Sequence, residues 1–307
     1  MSSTSAARRM VGAALGLLAD RAFGEPPDAV HPVAAFGRTM GFVEASTYRD
    51  ARDRGVLYAL SGAGLGLASG ALVESTTVSV GMSAAGRMLR AEARAIARLL
   101  ETGDLPGARA ALPALVGRDP SALDRSGVAA AVVESVAENT VDAVVGPALW
   151  GAAAGAPGAL GYRAVNTMDA MVGHRSARYE QFGWASARLD DAAGFLPARA
   201  TALLVALVRP ARAGAIRRAV LRDAPAHPSP NAGVAEAAFA GALGCELGGP
   251  LRYGDRAENR PLHGRGPRPE PPDIARAVHL ADDVELALAG VLVVGGLLAA
   301  RRNRRSR

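Results

Sequence analysis

Apolar positions cluster in a few long runs rather than spreading evenly. Leu57–Val80 runs 24 residues with one charge, Glu74. A bilayer's hydrocarbon core takes about 20 apolar residues to cross as a helix, so this run predicts a membrane helix. Gly62, Gly66 and Gly70 repeat every fourth residue within it. That spacing puts them on one stripe, the pattern that lets two membrane helices approach closely. Leu286–Ala300 is continuously apolar and is followed by five arginines in Arg301–Arg307. An apolar run that ends in an arginine cluster reads as a span with a cytoplasmic end. Met10–Ala19 is shorter, with Arg8 and Arg9 before it and Asp20 and Arg21 after it. With no clean cleavage signal it reads as a retained first helix rather than a signal peptide.

Other segments mix charge into apolar sequence. Val128–Val133 and Ala143–Leu160 are separated by Glu134, Glu138 and Asp142, and Phe195–Val208 carries Arg199. Charges within apolar helices line cavities or bind something. Arg87, Arg90, Arg94 and Arg98 alternate with Leu89, Ile96, Leu99 and Leu100 at helical spacing, predicting an amphipathic helix at the cytoplasmic surface. The proline-rich stretch Arg252–Asp283 reads as a long loop, and no strand alternation is evident. The expected fold is all-α: a polytopic integral membrane helical bundle with cytoplasmic amphipathic helices and loops, spanning 1–307 as one domain. Arginine-rich ends place both termini in the cytoplasm and imply an even number of crossings of the cytoplasmic (inner) membrane.

Composition narrows the chemistry. Alanine and glycine make up about a third of the 307 residues, and all 35 basic residues are arginine. Without lysine there is no Walker-type phosphate loop, pyridoxal Schiff base or lysine nucleophile. A single cysteine, Cys245, excludes a disulfide framework and any all-cysteine zinc site. The net charge of +6 is modest, and no nucleic-acid partner is expected.

The candidate chemistry lies in four places. Glu134, Glu138 and Asp142 are spaced i, i+4, i+8, which stacks three carboxylates on one face if the segment is helical. With Asn139 beside them they suit Mg²⁺ carrying a nucleotide phosphate; a solvated helix face is the alternative. Asn166 and Asp169 would face one way on a helix, with Arg163, His174, Arg175 and Arg178 around them. Carboxylate, amide and guanidinium together can hold a metal and a phosphate, or form a loop with a capped helix. Arg188-Leu189-Asp190-Asp191 offers a second acidic site or a charge pair at a helix N-terminus. His31, in a Pro/Gly turn, is a general base or a turn residue. His227-Pro228-Ser229-Pro230-Asn231 opens an alanine-rich helix, with Ser229 or Asn231 as N-cap and the helix N-terminus as an anion site.

These residues resemble the CbiB/CobD family of cobalamin biosynthesis, the adenosylcobinamide-phosphate synthases. The resemblance rests on Leu18-Ala19-Asp20 through Gly24-Glu25-Pro26, His31-Pro32-Val33, Glu134-Ser135 with Glu138-Asn139-Thr140 and Asp142, Asn166-Thr167-Met168-Asp169 with Met171-Val172-Gly173, and His227 through Gly233. The blocks fall in family order along nearly the whole chain. His174 and the proline-rich loop before Asp273 depart from the family pattern.

The resemblance implies a membrane enzyme that joins adenosylcobyric acid to aminopropanol, or its O-phosphate, with ATP and Mg²⁺ as co-substrate and cofactor. Glu134, Glu138, Asp142 and Asn139 would position Mg²⁺-ATP, completed by Asn166 and Asp169. Arg163, Arg175 or Arg188 would bind phosphate or carboxylate, and His31 or His227 would take the proton of the amine. Association with later membrane enzymes of the pathway is a further expectation. A transporter or binding protein for a corrinoid or another anion is the alternative reading.

Overall fold

The computed structural model describes residues 3–26, 31–117, 119–174, 176–253 and 256–305. The elements run α1 (Ser3–Phe23), α2 (Pro32–Thr47), α3 (Arg52–Val73), α4 (Thr76–Ser83), α5 (Gly86–Glu101), α6 (Leu105–Ala111) and α7 (Arg125–Thr140). They continue with α8 (Gly146–Ala154), α9 (Ala156–Met168), α10 (Trp184–Val208), α11 (Ala213–Asp223), α12 (Ala232–Leu243), β1 (Glu246–Tyr253), β2 (Arg256–Gly264) and α13 (Pro271–Arg305). Wider π turns follow α7 (Val141–Val145) and α9 (Asp169–Gly173).

Three described helices are long and apolar enough to cross a membrane: α3, α10 and the Pro271–Arg302 part of α13. Only 28–33% of each apolar window is buried inside the protein. Leu60, Leu67 and Leu72 of α3, Leu196 and Leu203 of α10, and Val294 and Leu298 of α13 point outward. An outer face this rich in large apolar side chains matches a lipid surface.

Several boundaries differ from the sequence-based expectation. The run 57–80 is two helices, because the backbone turns at Glu74, which takes φ 58°, and α4 restarts behind a Ser75 cap. The helix α10 is a 25-residue span that absorbs Asp190, Asp191 and an internal Pro197. The stretch 252–283 is not a loop: β1 and β2 form an antiparallel hairpin, irregular between Leu247 and Gly249. Pro271 and Pro272 then open α13 instead of interrupting it, since a helix's first turn has no use for the missing N–H.

The expected amphipathic helix is α5, which buries Leu89, Arg90, Ala93, Ile96, Ala97 and Leu100. Its Arg90 is not a surface charge. The guanidinium is buried in an ion pair with Glu285 and lies 3.2 Å from Asp282, both on α13.

The chain divides into two compact units assembled from alternating segments. The first comprises Met1–Ala85, Asp142–Pro197 and Leu288–Arg307, and the second Gly86–Val141 and Ala198–Ala287.

In the first unit α3 packs along α9 through the predicted glycine stripe. A methyl group added at Gly66 would meet the Ala164 Cβ at 2.5 Å and the Leu160 carbonyl at 2.9 Å; one at Gly70 would strike Pro157. The glycines bring the two helix backbones together, and this fixes the side chains of α9. Met40, Tyr58, Val165, Met168, Val172 and Phe182 form the adjoining core. In the second unit α12, buried along its whole length, packs against α7, α11 and both strands.

Candidate functional site

Each unit encloses a polar cluster. In the first unit the cluster grows from α9 and the turn after it. Tyr162, Arg163 and Asn166 share one side of α9, and Asp169 opens the π turn. Tyr162 reaches Asp142 at 3.4 Å, Arg163 donates to the Asn166 side-chain oxygen at 3.3 Å, and Asn166 donates to Asp190 of α10 at 3.4 Å.

Glycines make the room. A methyl at Gly146 would run into the Tyr162 ring, and one at Gly173 would occupy the position of the Asp169 carboxylate.

Electrostatics follow from this crowding. Burial, and next the Asp142 charge, hold the Tyr162 phenol well above its ordinary range, so it stays protonated. Burial pushes the Asp169 carboxyl up to about 6, with Asp142 and Asp191 adding to the effect. Burial lowers the Arg163 pKa, opposed by the nearby charges of Glu25 and Asp142. The Arg163 Nε is shielded from solvent and has no acceptor in the protein.

The other predicted residues of this unit have plain positions. His31 caps α2: its Nδ1 accepts the Val33 N–H at 3.1 Å, so its proton sits on Nε2, 3.1 Å from Glu25. Both ring nitrogens are thus engaged. Arg188 is a solvent-facing partner of Asp191, and Arg178 pairs with Glu44 over the Tyr48 ring. Arg175 lies outside the described residues. Sequence reasoning passed over Glu25 as a site residue, although it stands in the Gly24-Glu25-Pro26 block of the resemblance.

Glu134 and Glu138 lie on α7 in the second unit, whereas Asp142 lies beyond the helix in the π turn and belongs to the first. The helix α7 is not one of the three membrane-length helices. Glu134 is buried and accepts the Gly248 N–H at 2.7 Å, holding the start of the hairpin. Asn139 turns back on its own helix, donating to the Ser135 carbonyl at 2.9 Å.

Among the described residues no three His, Cys, Asp or Glu side chains are grouped closely enough to hold a metal ion. Asp142 and Asp169 are the carboxylates of the first-unit cluster that would hold Mg²⁺ arriving on a phosphate. That ion needs only one or two protein carboxylates and keeps water and phosphate oxygens for the rest.

The second unit's cluster surrounds α12. Asn231 is the N-cap of this helix without a side-chain capping bond, and Ser229, two residues before it, accepts the N–H groups of Asn231 and Ala232 at 3.2 Å each. The Asn231 side chain instead accepts Arg199 at 3.0 Å. The Arg260 guanidinium lies 2.6 Å from the His227 Nε2, and the His227 Nδ1 accepts the Ser229 N–H at 3.0 Å. Burial, reinforced by Arg260, pushes the His227 pKa down to about 4, so the ring is neutral. His263, on the hairpin, is completely buried and was missed from sequence because its segment read as loop.

Membrane-length helices with lipid-like outer faces define an all-α helical membrane protein. Within that class the chain belongs to the CobD/CbiB protein family, whose model matches residues 13–281. It is similar to the cobalamin biosynthesis protein CobD of Mycobacterium tuberculosis H37Rv, at 47% identity over 96% of this chain and 97% of the relative. The CobD of Rhodobacter capsulatus is 52% identical over 69% of this chain and 67% of its own length. That of Chromobacterium violaceum is 41% identical over 93% and 97%. No solved structure matches the chain.

Proposed function

We propose that the protein is the cobalamin-pathway enzyme that joins adenosylcobyric acid to aminopropanol or its O-phosphate, with ATP and Mg²⁺. Family membership supports the pathway and an enzymatic role on a corrinoid. The observation that carries the chemistry is Arg163. Its solvent-shielded Nε lacks an acceptor, Asn166 takes a hydrogen bond from its guanidinium, and Glu25 and Asp142 act on it electrostatically. A buried guanidinium with an open N–H suits a phosphate or carboxylate oxygen.

A carboxylate becomes an amide at neutral pH only with a better leaving group than hydroxide, and ATP can supply one. In this reading Arg163 binds the phosphate or the substrate carboxylate and Asn166 orients it. Asp142 and Asp169 would hold Mg²⁺ brought in on phosphate, which neutralises the charge that builds up on the phosphate oxygens. Tyr162, kept protonated, fixes the Asp142 carboxylate through its hydrogen bond. The protein would sit in the cytoplasmic membrane as a multi-pass protein with its arginine-rich C-terminus in the cytoplasm.

The test is product formation. Detergent-purified protein incubated with adenosylcobyric acid, ATP, Mg²⁺ and each amine in turn should yield a new amide by mass spectrometry. Folded Arg163→Gln and Asp169→Asn variants should not. Corrinoid uptake into vesicles without any amide product would establish a transporter instead.

A further inference from the structure

Within the second unit an open groove of about 200 Å³ runs between α5 and the first half of α13. Ala97 and Ile274, both buried, form its floor, and Arg94, Arg98, Glu101 and His279 form its rim. The two helices run in opposite directions there. Arg90 engages Asp282 and Glu285 at one end, whereas Glu101 shares the groove with Ile274 at the other. The rim is therefore ordered along the groove: Arg94 and His279 first, then Arg98, then Glu101.

The acids on α13 beside this groove are already held by other arginines. Asp282 and Glu285 pair with Arg90, and Asp283 pairs with Arg209 at 2.7 Å. Arg94, Arg98 and His279 are exposed, and their side chains make no hydrogen bond or ion pair among the described residues. Two guanidiniums against the single Glu101 carboxylate leave the rim positive, so it favours a ligand with net negative charge. Guanidinium forks grip phosphate oxygens in pairs.

The helix α13 supplies a ruler for depth. Leu286, exposed and at the start of the apolar run, lies seven residues past His279. At about 1.5 Å per residue that is about 10 Å along the helix. A bilayer's headgroup layer adds about 5–7 Å beyond the hydrocarbon on each side, and arginine side chains extend to meet the phosphates there. The Arg94 end of the groove thus faces the lipid phosphates, and the Glu101 end faces water. Glu101 can only accept, which suits a headgroup hydroxyl.

We propose that this groove seats the headgroup of an anionic glycerophospholipid of the phosphatidylglycerol type. Its phosphate sits on Arg94 and Arg98 beside His279, its glycerol hydroxyls point to Glu101, and its acyl chains leave on the Leu286 side. The site is independent of the reaction that the protein catalyses.

Native mass spectrometry of the full-length protein in detergent tests this, with phosphatidylglycerol or phosphatidylcholine of identical acyl chains added. Saturable binding is expected, at least tenfold tighter for phosphatidylglycerol. The double variant Arg94→Gln/Arg98→Gln should lose tenfold or more of that affinity, with phosphatidylcholine binding and thermal unfolding unchanged. Arg217→Gln/Arg218→Gln removes the same charge from an exposed stretch of α11 and should leave lipid binding as it was. If the groove double variant does not hold the wild-type melting temperature, Arg98→Gln alone takes its place, with a threefold loss or more expected. Equal affinity for the two lipids, or equal loss in both double variants, overturns the site. Displacement of phosphatidylglycerol by equimolar ATP overturns it too, since the groove would then belong to a soluble nucleotide.

Discussion

Replacing Gly66 with alanine isolates the contact that sets α9 in place. The new methyl would lie 2.5 Å from the Ala164 Cβ, 2.9 Å from the Leu160 oxygen and 3.2 Å from the Gly161 Cα. Two of these are backbone atoms of α9, and none is the end of a flexible side chain. Relief requires the helices to part by about 1 Å, and overpacking of a tight interface costs about 1–3 kcal/mol. Alanine also favours the helix by up to about 1 kcal/mol over glycine. Gly64 supplies the control, because a methyl there meets nothing within 4 Å. The propensity gain is common to both variants, so the difference between them reads the strain alone, about 1–3 kcal/mol. Thermal unfolding in one detergent should place Gly66→Ala several degrees below Gly64→Ala. Amide formation should fall only in Gly66→Ala, since α9 carries Arg163 and Asn166. Matching melting temperatures would refute the claim that backbone approach at Gly66 positions the cluster.

Gly173→Ala should lower amide formation at least tenfold with little loss of stability, because the methyl takes the place of the Asp169 carboxylate; comparing activity with unfolding midpoint checks this. Ser229→Ala should cost about 1 kcal/mol by removing the acceptor of the Asn231 and Ala232 N–H groups where α12 begins, read from denaturant unfolding. Glu134→Ala should cost about 1–3 kcal/mol by orphaning the Gly248 N–H, measured the same way. The His227 pKa of about 4 lies below the unfolded value of 6.5, so the unfolded chain binds the extra proton between those pH values. Stability should therefore fall as pH drops through that window, by up to about 1.4 kcal/mol per unit. His227→Gln should flatten the fall; an unchanged slope would remove His227 as its source.

What was legible in the sequence was local periodicity. The glycine stripe of α3 and the apolar face of α5 need only one helix to be recognised, and both are present as read. The hairpin was hidden because Gly248, Gly249, Pro250 and Pro261 break the alternation that marks a strand, and the strand pairing is itself irregular there. The first half of α13 was hidden by prolines that stop a helix anywhere except its first turn. In α10, Asp190 and Asp191 masked a span. The pairing that admits one of them, Asn166 with Asp190, joins residues 24 positions apart. For the same reason Asn166 and Asp169 could be chosen from sequence, but His263 could not. Its partner is Glu236, 27 residues earlier on another element.

The buried pair of Arg90 and Glu285 bears on how the chain is built. Glu285 sits within a helix that otherwise has the makings of a membrane anchor, and alone its carboxylate would resist entering oil. Its partner emerges from the ribosome 195 residues earlier, so a docked α5 can be waiting when the last helix arrives. Grafting α13 onto another protein as a ready-made anchor should thus fail, or succeed only with glutamate replaced, because half of its solubility in lipid is encoded elsewhere in the chain.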